Sequence, residues 1–348
     1  MANIKFGKLA TRVDRRTIKL AAILRPDKLP PIPDTYDLYA ALGFSDSRMF
    51  LNDQLGDCVI AQRAHQTLAF EKFEQGQVVP ITDAEVKAEY EAETGGPDVG
   101  LIMLDSLNKW RHDGWAAAGR NYKIHAFASI DWRNHQEVKE AIYLFTGVAF
   151  GMQVPQSAID DFEAGKYYWD VKPDDGGIAG GHAVYAPAYM AIGGYDTTGP
   201  VCLTWGRRVQ MTWAFWDRYV DEAYAIIDSL DDWLAPATDP LDVPKLEQYL
   251  SEITGQPVPP DEPPAPPAPP VPPTPGGCFA WRWFKRQVAK LPRVTRLTVG
   301  VRLPVLVAEV ALAAIAITAL CLDHDVIAAA CATAIATTLD KVITTDSG

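Results

Sequence analysis

Residues 256–277, QPVPPDEPPAPPAPPVPPTPGG, constrain this chain more than any other stretch. Proline fixes φ at about −65° and has no N–H, so such a run can sit neither inside a helix nor inside a sheet. It favours extended polyproline II and acts as a stiff spacer. The chain is thereby divided into residues 1–255, which must supply any folded core, the spacer 256–277, and a tail, 278–348. Twelve of the 27 prolines lie in the spacer, leaving the first part with an ordinary content compatible with regular structure.

The charge divides at the same place. From Cys278 onward there are eight Lys and Arg against five Asp and Glu, a net of +3, so the total of −12 leaves −15 for residues 1–277. An acidic body of that size argues against nucleic acid as partner, because phosphate contacts need clustered Lys and Arg. The five cysteines, Cys58, Cys202, Cys278, Cys321 and Cys331, form no Cys-x-x-Cys pair, which excludes a zinc ribbon or thioredoxin motif. Their odd number and wide spacing give no disulfide framework and fit a reducing compartment. The opening MANIKFGKLATRVDRR lacks an apolar core, so no secretory signal is expected, and the localisation reading is cytoplasmic or membrane-associated through the tail.

Within residues 1–255 the punctuation predicts an α+β order. Successive prolines hold 25–37 extended. Asp57 is placed to cap a helix from Cys58 to about Glu74. Thr82 and Glu85 have capping-box spacing for a helix through about Ala92; a further helix is expected over 103–113, and Asn134 with Glu137 repeats the box before 135–145. Strands are expected at 147–154, 182–195 and 200–205, rich in Val, Tyr, Ile and Leu. Helices first and strands after is the α+β pattern.

Two places carry chemistry. In NDQLGDCVIAQRAH, residues 52–65, Cys58 opens a helix, where the positive end of the helix dipole favours thiolate. Gly56 permits close backbone approach, and the amides of Asn52 and Gln54 are candidate donors to an oxyanion. Standing alone, such a cysteine is more often a buried structural residue. In GGHAVYAPAYMAIGGYD, residues 180–196, His182 follows two glycines and opens an apolar strand, from which it could act as base for Cys58. His65 lies seven residues beyond Cys58 on the same helix, about 10.5 Å along the axis at ~1.5 Å per residue, too far for proton transfer. Asp160–Asp161 and Asp174–Asp175 lack a third ligand at loop spacing and read as solvated turns, so no metal and no cofactor is expected.

In order, these pieces resemble the papain-like cysteine peptidases. The family shows a glutamine ahead of Gly-x-Cys at a helix start, later a Gly/Asp-His-Ala-Val strand leading to Gly-Tyr, then an Asn-Ser-Trp-Gly strand end. Here the counterparts are Gln54 with Gly56-Asp57-Cys58, Gly181-His182-Ala183-Val184, Gly194-Tyr195, and Leu203-Thr204-Trp205-Gly206. The string Leu55-Gly56-Asp57-Cys58 is similar to the calpain branch, and the likeness covers roughly residues 29–234. It implies a two-lobed fold, a helical lobe carrying Cys58 and an antiparallel β lobe carrying His182, and hydrolysis of peptide bonds in a peptide or protein substrate. The sequence departs from the family at three points, one of them a stretch from His182 to Tyr195 that is longer than usual. Leu203 stands where the family has the asparagine that orients the histidine, while Thr204 is expected on the other strand face. The family glutamine position, six before the cysteine, is Asn52, with Gln54 four before it. With only about 28 residues ahead of the domain, no inhibitory pro-segment is expected. Two other readings fit the same residues: a papain-fold binding or structural module without turnover, and a Cys–His amidase.

The tail begins with WRWFKRQVAKLPRVTRLTVGVR, residues 281–302, seven Lys and Arg with no acid. PVLVAEVALAAIAITALCL follows at 304–322, 19 residues with only Glu309 charged, close to the roughly 20 that span a bilayer. Against an anchor stand the alanine content and Glu309, which fit a helical hairpin packed on protein. A membrane or an assembly partner is expected for residues 278–348.

Overall fold

The computed structural model describes residues 4–191, 198–228 and 240–255. Its organising element is a central helix that is buried on every side. Ten strands and nine α-helices are described: α1 (Leu20–Ile23), β1 (Tyr36–Asp37), α2 (Leu38–Ala41), α3 (Cys58–Gln75), α4 (Asp83–Thr94), α5 (Met103–His112), β2 (Trp115–Ala117), β3 (Arg120–Tyr122), β4 (Ala126–Ser129), α6 (His135–Leu144), β5 (Val148–Pro155), α7 (Gln156–Glu163), β6 (Tyr168–Trp169), β7 (Ile178–Met190), β8 (Gly199–Thr204), β9 (Arg207–Met211), α8 (Trp213–Tyr219), β10 (Val220–Ile227) and α9 (Val243–Thr254).

Every residue of α3 from Cys58 to Glu71 is buried. A helix buried all round needs partners for its polar side chains. Gln62 donates to Gln66, and Trp115 Nε1 donates to Thr67 Oγ1. Arg63 forms ion pairs with Glu89 at 2.9 Å and Glu93 at 2.6 Å of α4 and donates to the Ser106 carbonyl of α5. These bonds tie α3, α4 and α5 into one helical lobe. The helix ends at Gly76, whose φ of 70° is the left-handed cap conformation.

The sheet runs β4-β10-β5-β7-β8-β9-β6, with β1 also paired to β7. Its faces bury separate sets of side chains. Ala183, Tyr185 and Leu203 pack toward Cys58 and the other residues of α3. Val184, Ala186, Cys202, Met152 and Trp205 pack in the second core, with Phe215 and Trp216 of α8. This is the α+β arrangement that the residue order predicted.

Element spans agree with the expectations to within a few residues, save that the 182–195 strand begins earlier, at Ile178, and ends at Met190, and that the extended 25–37 stretch opens with a single 3-10 turn at Pro26–Lys28. Residues 192–197, which include Gly194 and Tyr195, lie outside the described residues, as do the spacer 256–277 and the tail 278–348 with its candidate anchor. No described helix is long and apolar enough to cross a membrane. The Thr82–Glu85 capping box is complete. Asn134 accepts from Glu137 N–H, but the Glu137 carboxylate turns to Asp131 N–H instead of closing its box. Asp160 and Asp161 lie on α7 and not in a turn. No cluster of three or more potential metal ligands occurs among the described residues.

Candidate active site

Cys58 is the first residue of α3, and its side chain faces β7, where Ala183 N–H donates to Sγ at 3.4 Å. Asp57 does not cap this helix with its side chain. Its carboxyl is buried and turned backward, Oδ1 accepting from Asn52 Nδ2 at 3.2 Å while Oδ2 has no partner. Burial pushes the Asp57 carboxyl up to about 8, so it is mostly neutral at pH 7 and contributes no charge to the helix start.

His182 precedes Ala183 on β7. Alternation puts the two side chains on opposite faces, so the His182 ring starts on the face of Val184. There it stacks on Trp205, ring centroids 4.3 Å apart and 13° from parallel, and Nε2 lies 2.7 Å from Thr204 Oγ1. Thr204 ends β8, and Trp205 and Gly206, at φ 44° and 75°, form the two-residue reversal that pairs Thr204 with Arg207. Positive φ at both positions is the turn that matches strand twist, and it brings Trp205 back over the histidine.

The imidazole is held from the residue beside the family asparagine position. Leu203 does face α3, packed with Cys58, Ala183 and Tyr185, and cannot orient a base. Thr204 lies on the other face, as alternation requires, but His182 lies on that face too. Thr204 is therefore the residue that holds the imidazole. The oxyanion candidates separate. Asn52, Cys58, His182, Leu203, Thr204 and His65 line one cavity of about 10 Å³. Gln54 is exposed and does not reach it. Asn52 spends its amide on Leu55 O and Asp57 Oδ1. His65, set aside on distance, is a wall of the same cavity, with Nδ1 unbonded.

Nothing in the order of residues announces what lies over the cysteine. Residues 4–9 run between the helical lobe and the sheet as an extended segment, with one isolated bridge from Lys8 to Leu101. Lys5 N–H donates to Asn52 O at 3.2 Å, Lys8 N–H to Gly181 O at 3.1 Å, and Leu9 N–H to Leu101 O at 2.9 Å; Leu101 N–H donates to Gly7 O at 2.7 Å. Trp205 Nε1 donates to Lys5 O, and the Phe6 ring meets His182 and Trp205 edge-on. Gly7 N–H lies near Cys58 Sγ and, with Ala183 N–H, favours its ionised form. A methyl group at Gly7 would fall 1.6 Å from Gly56 O, so only glycine fits there.

The sequence matches no family model and no curated protein. Among solved structures it is similar to xylellain, a cysteine protease from Xylella fastidiosa, at TM-score 0.52 and 13% identity, over 65% of this chain and 97% of xylellain. The fold is papain-like. Weaker likenesses extend to procathepsin B S9 from Trypanosoma congolense (TM-score 0.48, 11% identity, 65% of this chain and 87% of that one). Bromelain from Ananas comosus follows (TM-score 0.43, 12% identity, 57% of this chain and 100% of that one). At such identities the likeness is one of fold, and the chemistry rests on this chain's own residues.

Within the papain-like fold, the cysteine and histidine are both neutral as they stand. Burial pushes Cys58 up to about 12, against the pull of the Ala183 and Gly7 N–H groups, and burial pushes His182 down to about 3. In this covered state desolvation works against the thiolate that the helix dipole favours. The pair is not hydrogen-bonded: His182 Nδ1 has no partner among the described residues. Cys202, the other described cysteine, is buried in the second core and pushed upward as well.

Proposed function

We propose that the chain is a cysteine-type peptidase held in a latent state by its own residues 4–9. The observation that carries this reading is the segment laid across Cys58: Gly7 and Ala183 both present N–H groups to the sulfur, in a groove walled by Gly56, Leu101 and Gly181. A groove that pairs a peptide backbone on both sides can bind another one. The seated segment offers the sulfur an N–H and not a carbonyl carbon, so it covers the nucleophile without being attacked.

With the segment displaced, water reaches the cavity and the desolvation that holds both groups neutral is relieved. His182 Nε2–H donates to Thr204, which leaves Nδ1 as the lone pair that takes the Cys58 proton. The thiolate attacks the substrate carbonyl carbon, and the imidazolium returns its proton to the departing amine. Water, deprotonated by His182, then cleaves the thioester and releases the carboxylic acid. Asn52 could serve the oxyanion only by giving up Asp57 or Leu55.

The second reading, a papain-fold binding module, is favoured by the neutral, unbonded Cys58–His182 pair. Residues 278–348 would act as tether to a membrane or an assembly partner under either reading. The test is hydrolysis of a fluorogenic peptide mixture by full-length protein carrying Gly7→Ala. Turnover that disappears with Cys58→Ala and with His182→Ala supports the peptidase. A folded, open protein with no turnover leaves the binding module.

A further inference from the structure

The residue after Gly7 is a lysine whose side chain is wholly buried. Lys8 Nζ lies 2.9 Å from Asp221 Oδ1 and 2.9 Å from Glu222 Oε1, and donates to Thr11 Oγ1 at 3.0 Å. Asp221 and Glu222 are neighbours on β10, and in a regular strand their side chains would leave opposite faces. The register between β10 and β5 shifts between Val220 and Glu222, and this bulge turns both carboxylates onto one ammonium.

The seat is built by the body of the protein and not by the segment that fills it. Gln153 Nε2 of β5 donates to Asp221 Oδ2 at 2.7 Å, and Tyr224 OH donates to Glu222 Oε2 at 2.8 Å. Each carboxylate is therefore aimed by its own donor. Gly151 makes the space for the aliphatic stem, since a Cβ there would lie 2.0 Å from Lys8 Cε. Two carboxylates held side by side against a narrow slot demand a cation at its end.

We propose that this seat is a side-chain subsite of the groove, selecting substrates that carry lysine or arginine close to the bond under attack, with Lys8 as its resident occupant. The inference rests on the peptidase reading of the same groove for its substrate, but the binding preference can be measured without turnover.

The experiment uses full-length protein with Gly7→Ala and Lys8→Ala, in which the segment can neither reseat at Gly56 nor fill the slot. Iodoacetamide labelling of Cys58 is followed in the presence of a peptide copying residues 4–10, IKFGKLA, or the same peptide with norleucine in place of the second lysine. The lysine peptide should protect Cys58 at about 100-fold lower concentration, the discrimination expected when one member of a desolvated charge pair is removed. Adding Asp221→Asn and Glu222→Gln should erase the difference; Asp221→Asn alone, at the more exposed carboxylate, should narrow it if the double variant does not fold. Equal protection by the two peptides, or none by either, overturns the subsite, as does a Cys58 that stays unlabelled in the opened protein. Hydrolysis of a peptide library separates the two ideas. Cleavage indifferent to basic residues overturns the subsite and keeps the peptidase, whereas lysine-selective protection without cleavage keeps the subsite and removes the peptidase.

Discussion

Gly7→Ala is the sharpest single perturbation of this molecule. The added methyl would lie 1.6, 2.2 and 2.7 Å from the O, C and Cα of Gly56. These are backbone atoms, and Gly56 cannot step aside: its N–H donates to Asp98 Oδ1 at 2.9 Å, which also accepts from Tyr90 OH at 2.7 Å. Overpacking costs about 1–3 kcal/mol even where neighbours can relax, so about 3 kcal/mol is a floor here. The substituted segment would be driven from the groove against its backbone bonds, worth about 1 kcal/mol each, and against the Lys8 ion pairs with Asp221 and Glu222. A 3 kcal/mol shift raises the open population about 100-fold. Opening removes the burial that pushes Cys58 up to about 12. The thiol then falls toward its ordinary value of about 8.5 or below, where a helix N-terminus acts in water. Iodoacetamide labelling at pH 8, read by peptide mass spectrometry, should therefore accelerate about 100-fold, and the pH of half-maximal rate should drop by several units. Circular dichroism should show the fold retained. A folded Gly7→Ala protein that labels Cys58 at the wild-type rate and with the wild-type pH profile would refute the covering role of residues 4–9.

Thr204→Val keeps shape but strips Nε2 of its partner, so in the opened protein it should lower kcat by less than the ~10⁴ lost with the orienting acid of a serine triad; Thr204→Ser should restore the rate, which a purely structural role would not require. Leu203→Asn should not raise activity, because its side chain is on the face away from the His182 ring; chemical denaturation should show a loss of about 1–3 kcal/mol from the buried amide. Asp57 is raised by burial from 3.8 to about 8, so across that window the folded state holds a proton the unfolded state has lost, and stability falls as pH rises. Asp57→Asn should thus add little to the melting temperature at pH 4 and most above pH 8, by a few kcal/mol at about 1.4 kcal/mol per unit; an equal gain at both pH values would refute this. Arg63→Met strands Glu89 and Glu93 and should cost about 3–5 kcal/mol, a melting drop of roughly 10 °C by calorimetry.

The parts of this protein that were legible in the sequence are those that neighbouring residues decide. A capping box at Thr82 and Glu85 needs only three residues' spacing, and the period of Val, Ile and Tyr marks β5, β7 and β8 without reference to the rest of the chain. The placing of Cys58 at a helix start is likewise local. The alternation of strand side chains correctly put Leu203 and Thr204 on opposite faces. What alternation could not say is which face would receive His182, since that depends on the register of β7 against β8 and on the Trp205–Gly206 reversal.

The same division explains the larger omission. The segment KFGKL has no periodicity, no cap and no charge pattern to mark its place, and its partners Asn52, Leu101, Gly181 and the Asp221–Glu222 pair lie far along the chain, Asp221 213 positions from Lys8. Glycine at position 7 looks permissive in sequence and is mandatory in space. The helix dipole at Cys58 is local, whereas the desolvation that overrides it is the sum of everything packed over the sulfur, including residues from the other end of the domain. Sequence alone determined the α+β order and singled out Cys58 and His182 as candidates. Tertiary structure alone decided that Thr204 holds the imidazole, that residues 4–9 cover the thiol, and that two consecutive carboxylates face one lysine, because each follows from which distant surfaces are brought within bonding distance.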